Sequence, residues 1–215
     1  MKYSNVLFDL DGTLTDPKTG ITKSVQYALN KAGINEPDLD KLIPFIGPPL
    51  HQSFMDFYGF SDAQAWDAVN AYREYFPVTG IYENLRYDGI PELLTALRAQ
   101  GRQLFVATSK PKVFADIVIR HFELEPYFTA VYGSELDGTR TDKGELIRYL
   151  LAEEQLDKST TIMIGDRKHD IIGAHKNQLP AIAVGYGYGS TQELQDASPE
   201  YIFNTVGDLL AGFPG

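Results

Sequence analysis

The chain has 215 residues, 43% of them hydrophobic, with 19 Lys and Arg against 29 Asp and Glu and a net charge of −10. Such an acidic balance argues against nucleic-acid binding, which needs clustered cations to neutralise phosphates. With no cysteine, a disulfide framework and thiol chemistry are excluded.

The opening segment runs straight into a strand-like stretch without the charged, apolar and cleavage regions of a signal peptide. No apolar run approaches the ~20 residues of a membrane span, so a cytoplasmic protein is expected. The first strand is Asn5-Val6-Leu7-Phe8-Asp9, whose continuous apolarity predicts burial on both faces of a parallel sheet. From about Thr19 to Phe76 the pattern is helical. Val25, Ala28 and Leu29 fall at i, i+3, i+4, with a stop at Gly33, and Phe54, Phe57 and Tyr58 repeat that spacing. Ser61-Asp62-Ala63-Gln64 has the form of a capping box opening a helix through Trp66 and Val69.

After Gly80 helices and strands alternate. Pro91–Arg98 reads as a helix ended by Gly101, Leu104–Ala107 as a strand and Val113–Phe122 as a helix. Strands at Ala130–Tyr132, Thr161–Ile164 and Ala181–Val184 then alternate with helices at Lys143–Glu154 and Asp170–Lys176. Ser190-Thr191-Gln192-Glu193 looks like a further capping box, and Tyr201-Ile202-Phe203 closes the series. This rhythm predicts an α/β fold, a Rossmann-like parallel sheet with right-handed crossovers, interrupted after its first strand by an all-helical insert. Residues 1–16 and 81–215 are assigned to the sheet domain and 17–80 to the insert.

In open parallel sheets ligands bind beyond the carboxyl ends of the strands. Three predicted strands end in reactive-looking groups: Asp9-Leu10-Asp11-Gly12-Thr13, Thr108-Ser109-Lys110, and Gly165-Asp166 with Asp170 four residues on. Singly, each has an ordinary use as a cap, a turn former or a solvated side chain, and Arg167 and Lys168 are expected at the surface. Together on one sheet edge they form four carboxylates, hydroxyls and a lysine. Clustered carboxylates repel and resist desolvation, so they require a cation, and an all-oxygen donor set suits magnesium. Asp9 and Asp11, two apart, can divide nucleophilic attack from proton transfer, and Gly12 lets the backbone turn tightly about a phosphate.

Asp9-Leu10-Asp11-Gly12-Thr13-Leu14-Thr15-Asp16 resembles the first motif of the haloacid dehalogenase superfamily in its phosphatase form. Thr108-Ser109-Lys110-Pro111 is similar to the second motif, Lys143 to the third and Gly165–Asp170 to the fourth, in family order and over essentially the whole chain. The nearest likeness is to the phosphoglycolate phosphatase and 5′-nucleotidase-like branch. The resemblance implies that Asp9 is the nucleophile, forming an aspartyl-phosphate, and a magnesium ligand. It implies that Asp11 is the general acid and base and ligates magnesium through its carbonyl, with Asp166 and Asp170 completing the metal site. Thr108 and Ser109 would bind phosphoryl oxygens together with Gly12, Thr13 and Lys110, while Lys143 neutralises charge. Gly144 follows Lys143 where the family commonly has proline. Asp11 argues against dehalogenation, and the absence of a histidine in Pro17–Ile21 makes a phosphomutase the lesser reading; a non-catalytic phosphate-binding regulator is a further alternative.

The insert resembles the family's small α-helical cap, with Gly20 and Gly80 as hinges. The stiff turn Ile46-Gly47-Pro48-Pro49-Leu50-His51 resembles one that sets specificity, which makes Gly47 and His51 candidate substrate contacts. The cap's aromatics are expected to be core, and Tyr186-Gly187-Tyr188-Gly189 to line an entrance. The implied partner is a small phosphate ester, with no nucleic acid and no membrane, bound by a monomer or weak homodimer.

Overall fold

The structure is a computed structural model, and it describes residues 2–215. Its main sheet has six parallel strands in the order β5-β4-β1-β6-β7-β8. They are β1 (Asn5–Phe8), β4 (Gln103–Pro111), β5 (Ala130–Ser134), β6 (Thr161–Gly165), β7 (Ala181–Val184) and β8 (Tyr201–Phe203). Two short strands, β2 (Thr15–Asp16) and β3 (Leu85–Arg86), form a separate two-stranded sheet.

The apolar run of β1 ends up at the centre, paired with β4 from Asn5↔Gln103 to Phe8↔Val106 and with β6 from Asn5↔Thr161 to Phe8↔Ile164. Alternate residues point to opposite faces, and all four are buried. On one face Leu7, Phe105 and Met163 meet Leu146, Ile147 and Leu150 of α6 (Lys143–Glu153) and Ile171 and Ala174 of α7 (Lys168–Lys176). On the other, Phe8 meets Phe128 edge to face, with centroids 6.1 Å apart. The remaining helices of this unit are α4 (Ile90–Ala99), α5 (Lys112–His121), α8 (Thr191–Asp196) and α9 (Val206–Gly212).

The chain divides into two compact units, residues 1–16 with 86–215, and residues 17–85. The second crossing therefore falls five positions beyond the expected 80/81 boundary. Residues 80–85 stay with the helices because the Gly20 N–H donates to the Glu83 carbonyl at 2.9 Å and Lys23 pairs with Glu83. The helical unit contains α1 (Lys18–Lys31), α2 (Leu50–Tyr58) and α3 (Asp62–Tyr75), with 3-10 turns at Leu39–Phe45 and Gly80–Tyr82. Gly20 and Gly80, expected as hinges, instead lie inside this unit. A Cβ on either would strike the other's carbonyl, so they are glycines because two backbones touch. Ser61 and Gln64 form the expected capping box, and within the unit Phe54 meets Phe45 edge to face and stacks on Phe60.

Three local expectations need correction. β4 runs on through Thr108-Ser109-Lys110 to Pro111, with a register shift against β5 between Thr108 and Pro111. At Ser190 half the capping box forms: Ser190 accepts from the Glu193 N–H at 3.1 Å, but the Glu193 carboxylate turns to Arg167. Arg167 is accordingly half-buried and not a surface residue, whereas Lys168 is exposed. None of the described helices is long and apolar enough to cross a membrane.

Leu7 lies fully buried in the central strand. Leu7→Ala is expected to destabilise the sheet unit by about 2–5 kcal/mol, read as a lower urea midpoint with an unchanged slope.

Candidate active site

Asp9 follows the last residue of β1, and its N–H donates to the Ile164 carbonyl at 2.9 Å, prolonging the sheet one residue past the strand. The chain then turns sharply. Leu14 and Thr15 donate to the Leu10 carbonyl, the Gly12 N–H donates to the Thr15 carbonyl at 2.7 Å, and Asp11 bridges to Thr15. Gly12 has φ +86°, and a Cβ there would land on the Asp166 carboxylate. Glycine is thus required twice over, by backbone hand and by space.

β6 ends beside β1 and delivers Asp166; α7 begins at Lys168 and presents Asp170 in its first turn. Asp166 and Asp170 are therefore joined across a loop-to-helix junction. The Arg167 N–H donates to Asp170 Oδ2 at 3.1 Å. Asp9, Asp166 and Asp170 are all buried and offer carboxylate oxygens within 4.8 Å of one another.

Lys143 enters this cluster from the first turn of α6, where Asp142 caps the helix by accepting from the Glu145 N–H at 2.9 Å. Its Nζ lies 2.8 Å from Asp9 Oδ1, 2.8 Å from Asp170 Oδ1 and 2.8 Å from the Ala107 carbonyl. All three donors of the ammonium are therefore used. The glycine after Lys143 has a packing reason: a Cβ on Gly144 would sit 3.0 Å from Lys176 Cδ and from Asp142 Oδ1, and one on Gly173 would sit 2.9 Å from Lys143 Cγ. Glycines on α6 and α7 let the helices close up and the lysine stem pass between them.

Three carboxylates thus face one ammonium. Burial drives the Asp166 carboxyl well above the ordinary carboxylate range, and the charges of Asp170 and Asp9 push the same way. Burial likewise pushes Asp170 up to about 6 against the opposing pull of Lys143. Burial pulls Lys143 down, but Asp170 and Asp9 prevail and hold it above its usual range. The surplus of buried negative charge and the all-oxygen donor set fit a hard divalent cation.

Asp11 is also buried but has a different partner. Lys110 Nζ meets its Oδ2, and its Oδ1 is buried with no hydrogen-bond partner. Burial raises the Asp11 carboxyl, with Lys110 opposing. Thr108 is buried and accepts from the Lys110 N–H at 3.2 Å. The Ser109 hydroxyl donates away to the Thr141 carbonyl at 3.1 Å, while the Ser109 carbonyl accepts from Ser134 at 2.8 Å. Thr13, fully buried, has its hydroxyl 3.5 Å from Asp166 Oδ1.

The structure therefore brings Asp9, Asp166, Asp170 and Lys143 into one cluster, with Thr13 touching Asp166 and Asp11 paired with Lys110. Gly47 and His51 lie in the helical unit. Gly47 has φ +103° in the turn before α2, and the His51 ring lies tilted against Trp66, centroids 4.6 Å apart, with Nε2 3.1 Å from Asp62 Oδ1. Sequence reasoning missed two supports. Glu193 accepts from Arg167 Nε at 2.8 Å and from the Lys168 N–H at 3.0 Å, pinning the Asp166–Asp170 segment. Tyr188 donates its N–H to Asp166 Oδ2 at 2.7 Å. No hint of the first was present in the sequence, because a capping box at Ser190 would have used the Glu193 carboxylate locally.

Known proteins resemble this chain over most of its length. The profile of haloacid dehalogenase-like hydrolases matches residues 6–184. A 5′-nucleotidase from Pseudomonas aeruginosa is 60% identical over 201 residues, covering 94% of this chain and 91% of that one. The tyrosine-protein kinase PtkA of Mycobacterium tuberculosis is 37% identical over 193 residues, 90% of this chain and 66% of that protein. Among solved structures, a predicted phosphatase from Clostridium acetobutylicum is 50% identical, superposes with a TM-score of 0.96 and is covered, like this chain, over 98% of its length.

The raised Asp170 carboxyl sets a pH dependence for the ion-free chain. Its folded value, about 6, exceeds the unfolded one, so between the two values the folded state holds the extra proton, and that stabilisation is lost as pH rises through the folded value. In EDTA, raising pH from about 5 to about 7 is expected to lower the wild-type urea midpoint relative to that of Asp170→Asn.

Proposed function

The chain belongs to the haloacid dehalogenase-like hydrolase family and is a phosphatase, and from that premise we propose that it hydrolyses small phosphate monoesters with magnesium, through an aspartyl-phosphate on Asp9. The observation that carries the reading is the buried meeting of Asp9, Asp166 and Asp170 around Lys143. Asp9, Asp166, Asp170 and the Asp11 carbonyl would hold the magnesium ion, which supplies charge neutralisation for the phosphoryl oxygens and for the crowded carboxylates.

Asp9 attacks phosphorus with a carboxylate oxygen. The bond from phosphorus to the ester oxygen breaks, and its electron pair leaves with that oxygen. Asp11, its carboxyl raised by burial, donates the proton the leaving oxygen needs. Water then attacks the aspartyl-phosphate and gives its proton to Asp11; the bond from Asp9 oxygen to phosphorus breaks, releasing inorganic phosphate and restoring both carboxyls. Lys143, fixed by three acceptors, keeps Asp9 oriented and offsets charge as the phosphoryl group arrives. Thr108, Ser109, Gly12, Thr13 and Lys110 serve as the substrate-binding set, with the Ser109 N–H as a donor to the phosphoryl oxygens. Gly47 and His51 remain candidates for specificity.

The substrate class we put first is the nucleoside 5′-monophosphates, supported by the likeness to the Pseudomonas 5′-nucleotidase; phosphoglycolate and sugar phosphates are the other members of the class. The likeness to PtkA favours one second reading, transfer of the phosphoryl group from Asp9 to an acceptor other than water. Residues 1–16 and 86–215 form the catalytic domain and 17–85 the family's helical cap, acting in the cytoplasm as a monomer or weak homodimer.

Release of inorganic phosphate from an aryl phosphate and from a panel of nucleotide, glycolate and sugar phosphates tests the proposal. Release is expected to vanish in EDTA, to return with magnesium, and to fall by about a thousandfold or more in Asp9→Asn. Activity surviving either treatment refutes it, and consumption of ester without free phosphate selects transfer to another acceptor.

A further inference from the structure

The five residues after β7 form a loop, Gly185-Tyr186-Gly187-Tyr188-Gly189, that belongs to the sheet unit and reaches back over the Asp9–Asp16 turn. At one end the Gly185 N–H donates to the Phe203 carbonyl at 2.8 Å; at the other the Gly189 N–H donates to the Asp166 carbonyl at 3.1 Å. Between these points two phenols tie the loop down. Tyr186 donates its hydroxyl to the Thr13 carbonyl at 3.0 Å, and its ring meets Tyr87 edge-on with centroids 5.1 Å apart. Tyr188 donates its hydroxyl to the Asp16 carboxylate. Burial keeps both phenols far above their ordinary range, so they remain protonated donors. Gly187 lies against Asp166 so closely that a Cβ would overlap the Asp166 side chain and the Gly12 carbonyl.

The seated loop has one product at the site: the Tyr188 N–H is delivered to Asp166 Oδ2. That bond occupies one carboxylate oxygen of a fully buried residue and fixes the rotamer in which it joins Asp9 and Asp170. We propose that Tyr188 is a positioning residue for Asp166, its hydroxyl on Asp16 holding the loop whose N–H orients the carboxylate, so that cation affinity depends on the Tyr188–Asp16 bond. The inference rests on the reading of Asp166 as a ligand of a divalent cation. Its alternative is that the hydroxyl only adds stability to a surface loop.

Direct binding of manganese, followed by paramagnetic resonance or calorimetry on the full chain, separates the two without reference to turnover. Tyr188→Phe is expected to weaken manganese binding by roughly five- to tenfold, the loss that goes with one ordinary net hydrogen bond. In steady-state assays the activity lost at low magnesium should return at saturating magnesium, with substrate KM unmoved. Asp16→Ala removes the same bond from the other side and should show the same loss, and the double variant should be no worse than either single one. A Tyr188→Phe protein that binds manganese as the wild type does, or losses that add in the double variant, overturns the inference. Asp166→Asn is the control for the underlying reading. If that variant binds as tightly as the wild type, the metal assignment itself is wrong; if it binds far more weakly while Tyr188→Phe does not, only the positioning role fails.

Discussion

Three buried carboxylates held within 4.8 Å of one another are the constraint from which the rest of this structure follows. Like charges in a poorly solvated pocket oppose folding unless something of opposite sign answers them. The fold answers in part with Lys143, whose ammonium spends its donors on Asp9, Asp170 and the Ala107 carbonyl. It leaves the remainder as raised carboxyls, a standing demand for a cation. Stability and chemistry are therefore opposed at this spot, a common condition of catalytic sites.

The surrounding architecture serves to hold that arrangement. β1, β4 and β6 lie side by side and parallel, so their carboxyl ends deliver Asp9, Thr108 and Asp166 to one edge. Each acidic side chain then has its own support. Gly12 makes room for Asp166, the Arg167 N–H reaches Asp170, Glu193 fastens the segment between them, and Lys110 answers Asp11. Asp9 and Asp11, two residues apart, end with different lysines. That separation suits the different tasks proposed for them, attack for Asp9 and proton transfer for Asp11, whose carboxyl burial raises.

Much of this was legible in the sequence, for identifiable reasons. A three-residue apolar run, Val6-Leu7-Phe8, followed by Asp-Leu-Asp-Gly-Thr needs no partner to be read, because burial on both faces and a tight turn each leave a local signature. The Ser61 capping box was equally local and formed as expected. What escaped was set by contacts distant in sequence. Ser190 and Glu193 look like a second capping box, yet an arginine from another loop claims the carboxylate. Gly20 and Gly80 look like hinges, yet they are close-packed against each other. Gly144, a departure from the family pattern, is explained only when α7 is seen against it. Tyr186 and Tyr188 looked like the rim of an entrance, and their hydroxyls turn out to be directed at Thr13 and Asp16.

The placement of β1 bears on how the molecule assembles. The strand sits between β4 and β6, and its hydrogen-bonding partners are residues 103–106 and 161–164. During synthesis it leaves the ribosome long before either neighbour exists, while helices α1 to α3 can gather through contacts close in sequence. The apolar strand that leads into Asp9 must then wait, unpaired, until residues 103–106 are made, and for residues 161–164 on its other side. Asp9 is therefore made well before the strands that seat it.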